Sequence, residues 1–351
     1  MSTKEAEIWL VTGVSGCGWN ELLNDVKEKA KTFWPERSIY IYDVGLYMQK
    51  ECKRLGISIA KEDILNVDGY WLETIRSLAL KAVVAEIKTH VEENALFFIG
   101  VHAVFHWKNR LIPGVSYCDL GDPELNLSGV INVVDNIKTI VEHNKDNPVR
   151  KKAGEVSATE TQRWMQEEEL LSKTIADIKQ CPFYVISKKH DVCNLVDFFQ
   201  GKKKAIYLSY PITAIRQDNP EELKTFQDET LPRLQEKFVV FNPLAISDLG
   251  DVSVFEGNEE YEKISELISV RTIQRDFRFI NQSSAVVVYY NTEKNSPGVF
   301  AEIYYAYRTG KPVHVFYPYK VSPFLQDAVS SIDDNMDAFI ARLEEFSTRT
   351  N

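Results

Sequence analysis

Cysteine is scarce in this chain and follows no recognisable framework. The 351 residues include five cysteines, an odd number, and no two of them form a C-x-x-C pair. Scattered thiols in an odd number are atypical of a disulfide-stapled secreted domain and of a structural zinc site. They favour a reducing compartment, so we expect a cytoplasmic protein. The five positions are Cys17, Cys52, Cys118, Cys181 and Cys193.

Long apolar runs and an excess of basic residues are also missing. No stretch approaches the roughly 20 apolar residues of a membrane span, and the chain starts with an acidic stretch and a short apolar run, unlike a signal peptide. Lysine and arginine number 41 against 51 acidic residues, which gives a formal net charge of −10. Such a surface repels nucleic-acid phosphates. We therefore expect no membrane and no extended nucleic acid among the partners, and small anionic ligands only in locally positive pockets.

The residues that are present predict two α/β domains. Hydrophobic residues make up 44% of the chain, which suits two globular domains of ordinary size. Short apolar strands alternate with amphipathic helices in each half, as in doubly wound parallel sheets. The charged run Gly201–Lys204 separates a first domain at residues 1–200 from a second at residues 204–351. The predicted strands are 7–12, 38–42, 95–100, 130–134 and 182–187, then 205–209, 238–242, 285–290 and 313–317.

Ligands of such sheets bind beyond the carboxyl ends of the strands, and the second half holds polar residues there. Arg271 and Arg275 share one face of a long helix. The turn from Ser296 to Gly298 opens the next helix, whose free N–H groups suit a phosphate. Glu302 follows within about the first turn, where the helix dipole favours the ionised carboxylate that a nucleophile needs. A carboxylate beside a phosphate pocket suits the removal of a base from a sugar phosphate, because that reaction develops a cation at the anomeric carbon.

The same segments resemble the nucleoside 2-deoxyribosyltransferases and the related nucleotide N-hydrolases. The likeness lies in IYLSYP at 206–211, in the helix that carries Asp276, and in SPGVFAEIYYAYRTGKPV at 296–313. In that family the pattern G-x-x-x-E-x-x-x-A-x-x-x-G-K-P-V carries the catalytic glutamate, which here is Glu302. The resemblance implies a flavodoxin-like fold, with Tyr207 near the sugar or the nucleophile and Asp276 assisting the base. It further implies that Ser296 and Gly298 hold a 5′-phosphate together with Arg271 or Arg275.

Two positions depart from the family pattern. Asn291 stands where the family has an aspartate after a strand, and Tyr210 stands where it usually has a glycine after the first strand. The base, the sugar, and the choice between hydrolysis and transfer to a second base therefore stay open. A neighbouring subunit often completes the site in this family, so the resemblance also implies a homo-oligomer.

The first half begins with a glycine-rich loop after its first strand. Gly13 and Gly18 have the spacing of a phosphate-binding G-x-x-x-x-G-K-[ST] loop, and Gly16 adds a pattern seen in nucleoside-monophosphate kinases. Trp19 stands where the motif has its lysine, and Asn20 stands where it has a hydroxyl residue. Two side chains on which phosphoryl transfer depends are therefore missing. With FFIGVHAVFHWKNRLIPGV at 97–115, the segment resembles archaeal-type adenylate kinases over about residues 7–140. The resemblance implies a degenerate P-loop-kinase-like fold that binds or senses a nucleotide at Gly13, Gly16 and Gly18, or that serves only as a scaffold.

Several functions follow from these patterns. The leading hypothesis is an N-glycosidase, hydrolase or transferase, that acts on a nucleoside or nucleoside 5′-monophosphate through Glu302 and needs no cofactor. The alternative is a non-catalytic nucleotide-binding sensor. An active nucleotide kinase and an enzyme that cleaves the N-glycosidic bond of NAD are weaker alternatives. No metal site is expected, because His102 and His106 have zinc-like spacing but no third ligand nearby.

Overall fold

The computed structural model describes residues 6–90, 94–108, 110–154, 156–212, 214–215, 220–245 and 259–349, with the backbone alone at 220 and 259–269. The chain divides into two compact units. Unit 1 comprises Met1–Lys189 with Ile246–Val270, and unit 2 comprises His190–Ala245 with Arg271–Asn351. The division at residue 190 precedes the run Gly201–Lys204, at which the sequence analysis placed the domain boundary.

Unit 1 is built on a parallel sheet. Its strands are β1 (Glu7–Thr12), β2 (Ser38–Asp43), β3 (Ala95–Gly100), β6 (Gly129–Val134) and β7 (Phe183–Ser187), and an antiparallel hairpin of β4 (Val104–Trp107) and β5 (Arg110–Pro113) follows β3. The five parallel strands run in the order β2-β3-β1-β6-β7. Every residue of β3 and β6 is buried, as expected for strands that helices cover on both faces. This architecture confirms the α/β prediction for the first half.

The helices of unit 1 begin and end at residues with clear local reasons. Gly18 precedes the first helix in a left-handed conformation with φ 75°, which favours glycine. The longest helix begins at a capping box between Ser157 and Glu160. The helices are α1 (Trp19–Phe33), α2 (Val44–Arg54), α3 (Gly69–Thr89), α4 (Tyr117–Leu120), α5 (Ile137–Asp146), α6 (Pro148–Ala153) and α7 (Ala158–Lys179), with a 3-10 turn at Lys61–Asn66.

Unit 2 contains a second parallel sheet. Its strands are β8 (Ala205–Ser209), β9 (Val239–Phe241), β10 (Ala285–Tyr289), β11 (Val313–Phe316) and β12 (Ser331–Asp333), in the order β12-β11-β10-β8-β9. Its helices are α8 (Val192–Gln200), α9 (Pro220–Thr225), α10 (Leu231–Lys237), α11 (Glu259–Gln282, in unit 2 from Arg271), α12 (Pro297–Arg308), α13 (Pro323–Asp327) and α14 (Met336–Thr348). A π-helical turn, Phe226–Thr230, joins α9 to α10, and Pro243–Ala245 is a 3-10 turn. The α/β prediction is confirmed here as well.

Hydrogen bonds from α8 explain why unit 2 starts before the predicted boundary. The Asn194 side chain donates to the Phe238 carbonyl at 3.0 Å and accepts from the Val240 N–H at 2.9 Å. His190 Nε2 lies 2.9 Å from the Val240 carbonyl oxygen. These bonds attach α8 and the residues before it to β9. The charged run Gly201–Lys204 is therefore a turn inside unit 2 and not a linker between the units.

The strand order marks where a ligand can bind. Numbered within each unit, the order is 2-3-1-4-5 in unit 1 and 2-1-3-4-5 in unit 2. In unit 2 the chain passes from β8 to β9 on one side and later places β10 on the other side. The crevice at the carboxyl ends of β8 and β10 is therefore the topological switch point, where doubly wound sheets bind ligands.

Within the described ranges, none of the helices is long and apolar enough to cross a membrane.

Candidate functional site

A carboxyl group lies at the switch point of unit 2, held by two hydroxyl groups of β8. Tyr207 and Ser209 are two residues apart on the strand, so their side chains point to the same face of the sheet. Both are completely buried. Tyr207 Oη donates a hydrogen bond of 2.9 Å to Glu302 Oε1, and Ser209 Oγ donates one to Glu302 Oε2. Both oxygens of the Glu302 carboxyl group are thereby fixed in position.

Helix α12 carries Glu302 over the sheet. Its apolar face, formed by Val299, Ile303 and Ala306, is buried. Glu302 is the sixth residue of the helix and so belongs to its second turn. The sequence analysis placed it within about the first turn, at which the helix dipole acts. Because that effect falls off within the first turn, the dipole has little influence on this carboxyl group.

Burial dominates the acidity of Glu302. Although part of the residue is exposed, protein encloses its carboxyl group, and burial followed by the nearby Asp276 raises the pKa of Glu302 to about 8. The hydrogen bonds from Ser209 and Tyr207 act in the opposite direction, because they stabilise the ionised form. Burial, Asp276 and Glu302 raise the pKa of Tyr207 well above its ordinary value, so its hydroxyl stays a donor. The surroundings of Glu302 therefore favour its protonated form on balance, in contrast to the dipole-stabilised carboxylate that we expected.

Helix α11 adds an acid and two arginines. Arg271 and Arg275 are both buried, as expected for residues on one helical face. Nε and Nη2 of Arg275 each lie 3.2 Å from Oδ1 of Asp276. Asp276 is close enough to Glu302 and Tyr207 to raise the pKa of each. The structure thus brings Glu302, Tyr207, Asp276 and Arg275 into one polar cluster, which Ser209 completes.

The turn before α12 has room for a small group. The Ser296 N–H donates to Tyr290 Oη at 2.8 Å, while the Ser296 side chain makes no capping hydrogen bond to the helix. A methyl group placed on Gly298 would meet no atom within 4 Å. The space beside Gly298 at the start of the helix is therefore open.

Asn291 belongs to a neighbouring network. Its Nδ2 lies 3.4 Å from Tyr289 Oη, which donates to Glu222 Oε1 at 3.0 Å. Burial and Glu222 raise the pKa of Tyr289. Asn291 is therefore connected to the end of β10 through Tyr289, whereas the hydrogen bonds to the Glu302 carboxyl group come from β8.

The glycine loop of unit 1 is only partly available to a ligand. The Gly13 N–H donates to Glu168 Oε1 at 2.9 Å, and the same carboxyl group accepts from the N–H groups of Ala103 and Val104, each at 2.8 Å. Burial raises the pKa of Glu168 to about 7. The Gly13 N–H, which a phosphate would use, is thus already hydrogen-bonded to a carboxyl group of the chain. Gly16 and Gly18, in contrast, line a cavity of about 670 Å³.

Trp19, the residue after Gly18, packs on the end of β3. A Cβ atom added to Gly100, the last residue of β3, would lie 2.0 Å from Trp19 Cη2. The indole ring therefore packs directly on the backbone at the end of β3. The residue that replaces the phosphate-binding lysine is a packing residue in this structure.

Two contributors to these sites were missed in the sequence. The sequence did contain a signal for Ser209, because this residue lies two positions after Tyr207 and therefore on the same face of the strand. Glu168 had none, because it is one of several acidic residues in a long helix and its partners are distant in the chain.

Compared with known proteins, the chain matches no family model and no curated protein. Over the part of the chain that the structure describes, no group of three or more His, Cys, Asp or Glu side chains could hold a metal ion.

Proposed function

We propose that unit 2 is an N-glycosidase, hydrolase or transferase, that acts on a nucleoside or nucleoside 5′-monophosphate with Glu302 as the nucleophile. The observation that carries the proposal is the enclosed Glu302 carboxyl group at the switch point, with both oxygens hydrogen-bonded by Tyr207 and Ser209. A fixed carboxylate suits attack on an anomeric carbon, because the transition state there carries positive charge. The resemblance to nucleoside 2-deoxyribosyltransferases supports the same reaction, and the 2-1-3-4-5 strand order is compatible with their flavodoxin-like fold.

The reaction proceeds in two displacements. Glu302 forms a bond to C1′ while the bond from C1′ to the base nitrogen breaks, and the bonding pair leaves with the base. The leaving base takes up a proton from Asp276 or from water. Water then adds to C1′, loses a proton and releases the Glu302 carboxylate, which gives hydrolysis. A second base in place of that water gives transfer.

Glu302 must lose its proton before it can attack. Burial and the nearby Asp276 disfavour this ionisation. Tyr207 and Ser209 favour it, because their hydroxyls donate to the ionised carboxylate.

A 5′-phosphate would lie at the start of α12. The space beside Gly298 and the uncapped Ser296 side chain support this placement, as do the free N–H groups of a helix N-terminus. Arg271 or Arg275 would add positive charge. Nucleoside 5′-monophosphates are therefore the preferred substrates in this proposal.

Release of free base tests the proposal. Purified protein is incubated with ribo- and deoxyribonucleosides, their 5′-monophosphates and NAD, each with and without ATP, and base is followed by liquid chromatography. We expect base release by the wild type and a loss of about 10³-fold or more in Glu302→Gln, as for removal of a nucleophile. Glu344→Gln, at an exposed glutamate of α14, is the matched control and should retain activity. Equal rates for the wild type and Glu302→Gln would refute the nucleophile.

A nucleotide sensor is the second candidate. The observation that favours it is the cavity of about 670 Å³ in unit 1, whose lining includes Gly16 and Gly18. A sensor would bind nucleotides and release no base from any of them. The packing of Trp19 on Gly100 and the bond from Gly13 to Glu168 argue against the kinase alternative.

A further inference from the structure

Three aromatic side chains of unit 1 project into solvent next to one another. Tyr70 is 74% exposed, Trp71 is 51% exposed and Tyr117 is 61% exposed. Tyr70 and Trp71 lie in the first turn of α3, and Tyr117 is the first residue of α4. Single exposed aromatic residues are common on protein surfaces, whereas a contiguous group marks a contact surface. We call these three residues the aromatic face.

A hydrogen bond between the two elements brings Tyr117 to the start of α3. Ser116, which directly precedes Tyr117, donates through Oγ to Glu73 Oε1 at 3.3 Å. Glu73 follows Tyr70 by three residues, so it lies on the same side of α3, about 4.5 Å further along the helix. The three aromatic side chains therefore belong to one surface.

The rings of the aromatic face are accessible to a cation. The Tyr70 and Trp71 rings are 6.3 Å apart, centroid to centroid, with an angle of 76° between their planes. Two rings at such an angle form a corner, and the negative face of a tyrosine or tryptophan ring attracts ammonium and guanidinium groups. At Phe33, another exposed aromatic residue of unit 1, the chain supplies the cation itself, because Lys29 Nζ lies 5.0 Å from the ring centroid. Over the described residues, no lysine or arginine lies over a ring of the aromatic face in this way.

Exposed carboxylates accompany these rings. Asp68 and Glu73 are both exposed, and Asp68 Oδ1 accepts a hydrogen bond of 3.1 Å from the Tyr70 N–H. Neither carboxylate forms a salt bridge with a lysine or arginine of the described ranges. Burial lowers the pKa of Arg76, and the nearby Glu73 opposes that shift. Arg76 is only 7% exposed and donates to the Pro113 carbonyl oxygen, so its charge is not presented at the surface.

The aromatic face is too small for a folded partner. A fully buried aromatic side chain removes about 150–250 Å² from water, so three that are half to three-quarters exposed offer roughly 300–400 Å². A stable interface between folded proteins, including one between two copies of this chain, covers about 800 Å² on each side. A short extended segment with a few side chains matches the smaller area. The formal net charge of −10 also draws cationic partners toward the chain.

We propose that the aromatic face binds a short arginine-rich segment of a partner protein. Guanidinium groups stack on the rings of Tyr70, Trp71 and Tyr117, and the carboxylates of Asp68 and Glu73 accept hydrogen bonds from them. Arginine suits this surface better than lysine, because its planar group both stacks on aromatic rings and binds a carboxylate through two donors. The surface lies wholly in unit 1 and is independent of the reaction proposed for unit 2.

Binding of a dye-labelled hexa-arginine peptide to the full-length protein tests the proposal. Fluorescence anisotropy of the dye measures binding at low and at physiological salt concentration. The comparison peptides are hexa-citrulline, which has nearly the same shape without the charge, and hexa-glutamate. We expect hexa-arginine to bind and each comparison peptide to bind at least about tenfold more weakly. Hexa-arginine binding should weaken as the salt concentration increases, because the attraction is screened.

Leucine variants separate the aromatic rings from apolar area alone. In the double variant Tyr70→Leu with Trp71→Leu, the apolar surface remains but the negative ring faces are lost. We expect hexa-arginine binding to weaken about fivefold to twentyfold in this variant, and about twofold to fivefold in Tyr117→Leu and in Glu73→Gln.

Matched controls remove an aromatic ring or a negative charge elsewhere in unit 1. They are Phe33→Leu, at an aromatic residue that is 55% exposed, and Glu36→Gln, at an exposed carboxylate. Both should bind hexa-arginine like the wild type, since they keep the aromatic face and change the net charge no more than the test variants do. All the substituted residues are exposed, so unfolding temperatures should stay within about 2 °C of the wild type.

Three results would overturn the proposal: equal binding of hexa-arginine and hexa-citrulline, equal hexa-arginine binding by the wild type and the double leucine variant, or an equal loss in the control variants. If the double variant does not fold, Tyr117→Leu and Glu73→Gln carry the same test. Sedimentation equilibrium of the wild type and the double variant examines the other occupant. Self-association that the double variant abolishes would identify a second copy of the chain on this face and would likewise overturn the proposal.

Discussion

Glu302 is subject to two opposing influences. Burial and Asp276 favour its neutral form, whereas the hydroxyls of Tyr207 and Ser209 favour its ionised form. A nucleophilic carboxylate must be ionised, but a carboxylate too well stabilised would be a poor nucleophile. A pKa of about 8 keeps the group near the balance between these states at physiological pH.

The pH dependence of kcat/KM should report this balance. If Glu302 attacks as a carboxylate, kcat/KM should rise with pH and level off above about 8, because kcat/KM follows the ionisation of the free enzyme. The measurement is base release at low substrate concentration across the range from about pH 6 to pH 9. A profile that falls as pH increases through this range would instead identify Glu302 as a proton donor.

Ser209 acts through Glu302 and is therefore a positioning residue. Ser209→Ala removes one donor to the carboxylate, which should raise the pKa of Glu302 and move the rising limb of the pH profile to higher pH. We expect roughly a tenfold loss of kcat/KM at neutral pH, for a loss of about 1.4 kcal/mol, and partial recovery in alkaline solution. Ser209→Thr, which keeps the hydroxyl, is the control. A uniform loss at every pH would mean that Ser209 has a packing role only.

At the scale of elements, Glu168 connects α7 to two separate backbone segments. Its carboxyl group accepts N–H groups from the end of β1 and from the start of the β4–β5 hairpin. In Glu168→Gln one oxygen becomes a donor, which leaves at least one buried N–H group without an acceptor. We expect a loss of about 1–3 kcal/mol of stability, measured by urea unfolding and followed by tryptophan fluorescence. Glu167→Gln on the same helix should have little effect, and equal stability of the two variants would contradict the bridging role.

The sequence predicted most elements because buried parallel strands are continuous apolar runs. β1, β3 and β8 have the predicted bounds, since each is an apolar run that ends at a change of composition. β12 was not predicted, because it has only three residues, with a polar residue at each end, and so shows no alternation of apolar and polar residues. Helix α12 was expected from Val299 but begins at Pro297, since proline is well tolerated in the first helical turn.

The sites were less predictable than the strands. The resemblance to a family pattern identified Glu302, Tyr207 and Asp276, which the fold brings together. Glu168 could not be identified in this way, because its hydrogen bonds to Gly13, Ala103 and Val104 join segments that are distant in the chain.

For the whole molecule, the two buried glutamates predict how stability depends on pH. The pKa of Glu168 is raised to about 7 and that of Glu302 to about 8. A carboxyl group with a raised pKa in the folded state favours folding at low pH, and this contribution is lost as pH rises from about 4.5 to the folded-state pKa. The apparent unfolding temperature should therefore fall between mildly acidic and mildly alkaline pH.

Glu302→Gln separates the contribution of the two glutamates. The variant has no charge to bury at this position, so its unfolding temperature should exceed that of the wild type by an amount that increases with pH up to about 8. Glu168 titrates in both proteins and cancels in the comparison. Differential scanning calorimetry at several pH values is the measurement. A difference that stays constant with pH would show that Glu302 is ionised in the folded protein.

The bonds from α8 to β9 have a consequence for self-association. β9 is an edge strand, and exposed edge strands template the addition of a strand from another chain. The Asn194 amide takes the place of a neighbouring strand there, since it is hydrogen-bonded to the Phe238 carbonyl and to the Val240 N–H. His190 Nε2 lies within hydrogen-bond distance of the Val240 carbonyl oxygen. A second copy of the chain finds no open ladder on β9 to extend. The predicted homo-oligomer should therefore form through side-chain surfaces and not by joining sheets at this edge, and loss of the Asn194 amide should make the protein prone to aggregation.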